Sequence, residues 1–213
     1  MIKEIYTLYV DRWQFFLSLT GEHLQISLIS IVIAAITGLG LGILISLYRK
    51  SSSTVLGLTN FIYTIPSIAL FGFLIPFSGI GNTTAIIALT IYALLPMVHN
   101  TYTGIIGIDK EIIEAARGMG STTFQILYKI QIPLAFPVIL AGIRNMMVMT
   151  IALTGIAAFI GAGGLGVAIY REITTNNSAM TIAGSLLIAL LALLADWGVG
   201  RYEKYIKRKR KLL

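Results

Sequence analysis

Residues 109–133 (DKEIIEAARGMGSTTFQILYKIQIP) form the one long polar segment inside an otherwise apolar chain of 213 residues. Asp109 can accept hydrogen bonds from the free backbone N–H groups at the start of a helix. Apolar residues then follow at helical spacing on one side: Ile112, Ala115 and Ala116. The first part of the segment is therefore predicted to be a short amphipathic helix whose polar face is free to contact another protein.

The middle of this segment carries two glycines and a signal for a second helix. Gly118 and Gly120 give the backbone the freedom for a sharp turn. Thr122, followed three residues later by Gln125, is a capping box, in which each side chain bonds the other residue's backbone N–H. Pro133 suits the first turn of a following helix. The pattern predicts two short helices around a glycine turn, with a side chain at Gly120 expected to force them apart.

Glu114 has two interpretations at this stage. It is either a solvated carboxylate stabilised by the dipole of a short helix, or a partner for a cation. That cation is either Arg117, three positions on, or one on a docked protein.

Two further patterns have the residue types of binding sites. Gly161, Gly163 and Gly166 match the dinucleotide fingerprint G-x-G-x-x-G, which needs a preceding strand and a helix that starts at the glycines. A long apolar run precedes them, so a glycine-rich turn is expected instead. His23 and His99 lack histidine or carboxylate neighbours at metal-ligand spacing. We expect His23 at the membrane interface and His99 at a helix end or in a cavity.

Catalysis by this chain is disfavoured. No glycine is followed by lysine, so there is no phosphate-binding loop, and no cysteine is present for thiolate or metal chemistry. No Ser/His/Asp order or paired carboxylates indicate a nucleophile or a general acid. We expect no cofactor, metal or catalytic residue on this chain, and any ATP with its Mg²⁺ on a partner.

The composition indicates an integral membrane protein. Only 12% of the residues are charged, against about 25% in soluble domains, and 56% are hydrophobic. The apolar runs exceed about 18 residues, which predicts spanning helices rather than the short alternating strands of a barrel. Seven of the sixteen Lys and Arg residues lie in the tail, residues 201–213. We interpret this tail as a topology signal and an anchor to anionic lipid, not as a nucleic-acid site.

The long apolar stretches predict about five spans, at residues 24–48, 54–76, 83–106, 136–160 and 173–195. Pro66 and Pro96 fall inside the second and third spans and predict kinks. Gly38 and Gly42 would allow the first span to pack closely against another helix.

The ends of the chain complete the predicted domain organisation. Residues 1–22 have an aromatic face at helical spacing and predict an amphipathic helix at the membrane interface. Residues 23–200 form the membrane domain, and residues 201–213 the basic tail. Cations concentrate after the first span, in residues 109–133 and in the tail. By the positive-inside rule the amino terminus is outside, while the polar segment and the carboxyl terminus are cytoplasmic.

Arg144 and Asp196 are charged residues placed within or at the end of predicted spans. An arginine side chain that faces lipid costs several kilocalories of free energy, so it needs a partner or a polar cavity. Either these two side chains form a structural ion pair between the fourth and fifth spans, which is the interpretation we favour, or Arg144 faces a cavity and meets a carboxylate of a substrate.

The polar segment resembles the EAA loop of ATP-binding-cassette importer permeases. The matching positions are Glu114, Ala115, Ala116, Gly120, Ile130 and Pro133. Ile132 stands where the pattern usually has leucine, which is a conservative departure. The resemblance implies an all-α membrane domain of the type I importer class. It also implies that the matching residues couple the membrane domain to an ATPase.

Other stretches are similar to permeases for glycine betaine, carnitine and choline: residues 63–67 (YTIPS), 74–76 (LIP), 92–96 (YALLP) and 157–166 (AAFIGAGGLG). This likeness, over roughly residues 22–200, implies a prokaryotic plasma-membrane permease that imports such an osmolyte. The implied partners are two cytosolic ATP-binding subunits, a second permease subunit, identical or related, and an extracytoplasmic substrate-binding protein. ATP binding would then act through residues 109–120.

Two alternatives stay open. Permeases for methionine or another small metabolite share the EAA pattern and the glycine-rich turn. A membrane channel or assembly subunit without an ATPase is an alternative of a different class.

Overall fold

The structure is a computed structural model that describes residues 1–175 and 178–209. All regular structure in these residues is helical. The α-helices are α1 (Ile2–Asp11), α2 (Trp13–Leu47), α3 (Ser52–Thr64), α4 (Ser67–Ser78), α5 (Asn82–Ile106), α6 (Lys110–Gly118), α7 (Thr123–Ile126), α8 (Ile132–Thr154), α9 (Gly166–Thr175) and α10 (Ser178–Lys209). Short 3₁₀ helices cover Arg49–Ser51 and Ile156–Ile160, and a π-helical turn covers Leu127–Gln131.

Within the described residues, four helices are long and apolar enough to cross a membrane. They are α2, α5, the run Thr123–Thr154 that joins α7 to α8, and Ser178–Arg208 of α10. The pair α3 and α4 also passes as one span, although it is bent by 101°. The count of about five spans is therefore confirmed. Helix α5 is central, because it packs against α2, α3, α4 and α8.

The second span is broken rather than kinked. Pro66 lacks the N–H that would continue the helix, and Ile65 before it takes an extended conformation with ψ of 128°. The hydroxyl of Tyr92 in α5 donates a hydrogen bond to the backbone carbonyl of Ile65. The corner between α3 and α4 is thus closed by a side chain of the central helix. Pro96, in contrast, lies inside α5 without ending it.

The amphipathic helix predicted over residues 1–22 is shorter in the structure. Helix α1 ends at Asp11, and residues 13–22 already belong to α2. The physical reason is burial: Phe16 and Leu19 pack into a cluster with residues of α9 and α10. Because of this contact, α2 begins at Trp13, well before residue 24, where the first span was predicted to start.

The last two spans also differ in their limits. The fourth ends at Thr154 and not at residue 160, and α8 follows directly on the π-helical turn, so Pro133 does not separate it from α7. Proline is tolerated there because it stands in the first turn of α8. The fifth begins at Ser178 and not near residue 173, because residues 166–175 form the separate helix α9. Residues 176–177 and 210–213, which include the end of the predicted tail, lie outside the described residues.

Glycines let α2 and α5 approach closely, as predicted. A Cβ atom on Gly38 would lie 2.8 Å from the Met97 side chain, and one on Gly42 would lie 2.5 Å from Cβ of Thr101. Gly40, between them on the same helix, has no atom within 4 Å of the equivalent position. The small residues at 38 and 42 therefore form the contact with α5.

We expect Gly42→Ala to destabilise the folded protein by about 1–3 kcal/mol, since the added methyl group overpacks a closed contact. Gly40→Ala is the matched control on the same helix, and it should leave stability unchanged or raise it slightly, because alanine has the higher helix propensity. The measurement is the melting temperature of the purified protein in detergent. Equal melting temperatures for the two variants would contradict the packing assignment.

Candidate functional site

The polar segment folds as the two short helices that its sequence predicts. Helix α6 has Asp109 at its N-cap position, but the Asp109 side chain makes no capping hydrogen bond. Ala116 is buried and attaches the helix to the bundle, while Glu114 and Ala115 are exposed. The helix therefore presents its polar face outward, in a position to meet a partner.

The turn between α6 and α7 is a Schellman motif. The Gly120 N–H donates to the carbonyl of Arg117 (2.9 Å), and the Ser121 N–H donates to that of Ala116 (3.0 Å). Gly120 has a φ of +83°, a conformation that L side chains rarely adopt. No atom lies within 4 Å of where its Cβ would be. Our expectation that a side chain would force the helices apart is therefore wrong, and backbone conformation is what requires glycine.

The predicted capping box at the start of α7 is confirmed. The Thr122 N–H donates to Oε1 of Gln125 (2.8 Å), and the Gln125 N–H donates to Oγ1 of Thr122 (3.3 Å). The π-helical turn follows, with Ile130 half-buried within it, and leads to Pro133 in the first turn of α8. The segment is thus joined to a spanning helix without a flexible linker.

Glu114 makes no ion pair with Arg117 among the described residues. Both side chains instead line a cavity of about 340 Å³ between α6 and the end of α2. Arg49 and Lys110 line the same cavity, so that cations outnumber the one carboxylate. The structure thus shows no pair with Arg117, and the exposed Glu114 fits both a solvated carboxylate and a partner for a cation of a docked protein.

Three large apolar side chains protrude from this segment. Met119, Phe124 and Tyr128 are 80%, 74% and 66% exposed, and the rings of Phe124 and Tyr128 are stacked with centroids 6.4 Å apart. Sequence reasoning did not single them out, although large apolar residues in a polar segment were the available signal. Large exposed apolar groups mark surfaces that contact a protein or a membrane. We call these three residues the apolar ridge.

Arg144 of α8 and Asp196 of α10 form the ion pair that we favoured from the sequence. The guanidinium donates from Nε to Oδ1 (2.6 Å) and from Nη2 to Oδ2 (2.7 Å) of the carboxylate. Glu203 adds a second carboxylate 3.5 Å from Nη1, and Lys207 lies 2.7 Å from Glu203. A Cβ on Gly200 would lie 3.1 Å from Cζ of Arg144, so the absence of a side chain there gives the guanidinium its room. The sequence signal for Glu203 was its place seven residues after Asp196, on the same helix face.

The glycine-rich stretch is a closed loop and lacks the context of a nucleotide site. A 3₁₀ helix precedes it, where the fingerprint needs a strand. The Gly163 N–H donates to Oδ1 of Asn82 (2.9 Å), and the Gly164 N–H donates to Oε2 of Glu22 (3.1 Å). These amide donors are therefore satisfied by side chains of α5 and α2 and do not cradle a phosphate.

The two histidines lie in different surroundings. His23 is fully buried rather than interfacial, because Gly164 packs against its ring and its Nε2 lies 2.9 Å from the carbonyl oxygen of Ile151. His99 lines a cavity of about 520 Å³ between α3, α5, α8 and α10, in agreement with one of its two predicted positions. Asp196 lies on the wall of the same cavity. Among the described residues, no three His, Cys, Asp or Glu side chains are grouped to hold a metal ion.

Together, the helical bundle and its protruding polar segment define the transmembrane domain of a type I ATP-binding-cassette importer. A structure of the MetNI methionine ABC transporter in an inward-facing conformation is similar, with a TM-score of 0.85 over 92% of this chain and 98% of that chain at 24% identity. A structure of an amino acid ABC transporter with histidines has a TM-score of 0.77 over 92% of this chain and 96% of that chain at 20% identity.

Comparison of sequences identifies the family. Residues 26–208 match the family described as binding-protein-dependent transport system inner membrane component, and this chain belongs to it. The glycine betaine/carnitine/choline transport system permease protein OpuCD of Bacillus subtilis is 40% identical over 99% of this chain and 93% of that protein. The osmoprotectant import permease protein OsmW of Salmonella typhimurium is 42% identical over 94% of this chain and 95% of that protein.

We expect Gly120→Val to reduce ATP-driven transport strongly without loss of membrane insertion, because a β-branched residue resists a positive φ. Gly120→Asn should retain much more transport, since asparagine tolerates that conformation. Gly118→Ala is the matched control, because it lies in open space without a positive φ. The measurement is uptake into proteoliposomes that contain the complete transporter. Equal activity of the valine and asparagine variants would rule out the conformational explanation.

We expect Arg144→Met to lower the melting temperature of the protein, because it leaves the Asp196 carboxylate without its cation and Glu203 with Lys207 alone. The loss should be smaller than for a buried pair, because the Arg144 and Asp196 side chains are 36% and 39% exposed. The double variant Arg144→Met with Asp196→Leu should recover part of the loss. Arg201→Met, which removes an exposed arginine beside the Trp197 ring, is the control. The measurement is the melting temperature of each variant in detergent. A double variant that melts no higher than Arg144→Met would argue against the pairing.

Proposed function

We propose that this chain is the membrane subunit of an importer for a small quaternary-ammonium osmolyte such as glycine betaine, carnitine or choline. What supports the proposal best is the similarity, at about 40% identity over nearly the whole chain, to one permease whose name carries these substrates and to another named for osmoprotectant import. The choline transport system permease protein OpuBD of Bacillus subtilis, 38% identical over 99% of this chain and 95% of that protein, supports the same class.

Two cytosolic ATP-binding subunits, a second permease subunit and an extracytoplasmic substrate-binding protein complete the proposed transporter. ATP and its Mg²⁺ bind to the cytosolic subunits, and this chain carries no cofactor. The amino terminus lies outside, whereas α6, α7 and the carboxyl terminus are cytoplasmic, since the cations of residues 49–50, 109–133 and 201–213 favour that side. The basic tail contacts anionic lipid.

In the proposed coupling step, the apolar ridge and the outer face of α6 bind the ATPase subunit. Glu114 pairs with a cation of that subunit, and the exposed Ala115 allows its close approach. The buried Ala116 attaches α6 to the bundle, and Gly120 holds the angle between α6 and α7. Ile130 and Pro133 continue the segment into α8. Closure of the ATPase pair on ATP would move this unit and open the bundle toward the binding protein.

Methionine import is less well supported, because the likeness to the methionine transporter is at 24% identity and shows the fold alone. A channel or assembly subunit without an ATPase is disfavoured by membership in a family of binding-protein-dependent transport components.

Uptake measurements test the proposal. We expect a strain that lacks its other osmolyte importers, and that expresses the complete transporter, to accumulate labelled glycine betaine, carnitine or choline after osmotic upshift, but not methionine. The matched control expresses the same transporter with the ATPase subunit inactivated, which should abolish uptake. Uptake of methionine alone would overturn the substrate assignment, and uptake that is indifferent to the ATPase would overturn the transporter class.

A further inference from the structure

The cavity that His99 lines lies between four helices and is open to the outside of the bundle, since Asn60, His99 and Asn145 on its wall are exposed. Its volume of about 520 Å³ is within the usual range for small-molecule sites. Tyr63 and Asn60 come from α3, Asn145 comes from α8, and Asp196 comes from α10. Spanning helices from both ends of the sequence therefore meet at this space.

The wall of the cavity offers an aromatic ring and amide oxygens, and among its described residues it has no uncompensated Asp, Glu, Lys or Arg. Asp196 is the one charged side chain among its lining residues, and its carboxylate is already bonded by Arg144, which lies outside the lining. No Lys or Arg is among the described lining residues to hold a free carboxylate or phosphate. The side-chain amides of Asn60 and Asn145 have no hydrogen-bond partner among the described residues, so their oxygens are available as dipoles.

Tyr63 is the aromatic side chain on this wall, and two contacts hold it in place. Its hydroxyl donates to the sulfur of Met149 (3.4 Å), and the Tyr92 ring packs edge-on at a centroid distance of 6.0 Å. The same Tyr92 closes the corner at Ile65, two residues beyond Tyr63. Tyr63 nevertheless remains 45% exposed. Its ring is thus fixed in orientation while part of its surface stays open to the cavity.

A quaternary ammonium group has no N–H to donate, so it is recognised by aromatic faces and oxygen dipoles. We infer that this cavity is a transit site for the quaternary ammonium group of the transported osmolyte, with the ring of Tyr63 as its main contact and the amides of Asn60 and Asn145 beside it. The inference rests on the proposed function, since it takes its ligand from the substrate class proposed there.

The test replaces Tyr63 by phenylalanine and by phenylalanines of increasing fluorination, introduced during translation. Fluorination keeps the shape of the ring but withdraws the electron density that attracts a cation. The complete transporter is reconstituted into proteoliposomes with saturating substrate-binding protein, and glycine betaine uptake and ATP hydrolysis are both measured. The same series at Tyr48, which is exposed at the end of α2, is the matched control.

We expect the Tyr63→Phe variant to transport glycine betaine within about twofold of the native rate, and the variant with the most fluorinated ring about five- to tenfold more slowly. In the Tyr48 series the transport rate should not change with fluorination. Equal transport across the Tyr63 series would overturn the inference, and so would a loss already complete in Tyr63→Phe, which would assign the role to the hydroxyl. Failure of the native transporter to carry any quaternary ammonium compound would instead overturn the proposed function.

Discussion

Hydrocarbon offers no water to bond a free backbone N–H or C=O, so each interruption of a spanning helix has to be closed by another part of the protein. At the corner between α3 and α4, the carbonyl of Ile65 is bonded by the hydroxyl of Tyr92. In the glycine-rich loop, the amides of Gly163 and Gly164 are bonded by Asn82 and Glu22. At both places the irregular backbone is closed by a side chain of α2 or α5, two helices that also pack extensively against each other.

The same absence of water governs the charged groups. Arg144 gives two hydrogen bonds to Asp196 and lies close to Glu203, so the cation and the carboxylates compensate one another between α8 and α10. An arginine in this position fixes how the two helices lie against each other, because sliding either helix by one turn would separate the pair. The pair also leaves the 520 Å³ cavity without an uncompensated carboxylate on its described wall, because Asp196, which lines it, is bonded by Arg144.

Local chemistry in the sequence predicted those features that depend on neighbouring residues. Thr122 and Gln125 form the expected capping box, and Gly38 and Gly42 face another helix, because hydrogen-bond geometry and residue size decide both. The Arg144 pair was predictable because a charge among apolar residues needs a partner. Features that depend on distant contacts were not predictable. The start of α2 follows from burial of Phe16 against α9 and α10, and neither helix's position was available from the sequence.

Continuity of the helix from Thr123 to Thr154 connects the two candidate regions physically. The run begins at the capping box beside the apolar ridge and passes through the π-helical turn, where i→i+5 bonding replaces the regular ladder. It then carries Arg144 and Asn145, which face the ion pair and the cavity respectively. Helix α7 is therefore connected to these side chains by helical backbone with no loop between them. The bonding pattern along this run changes at the π-helical turn and again at Pro133 and Pro137, which have no N–H to donate, so these are the places where the run can bend.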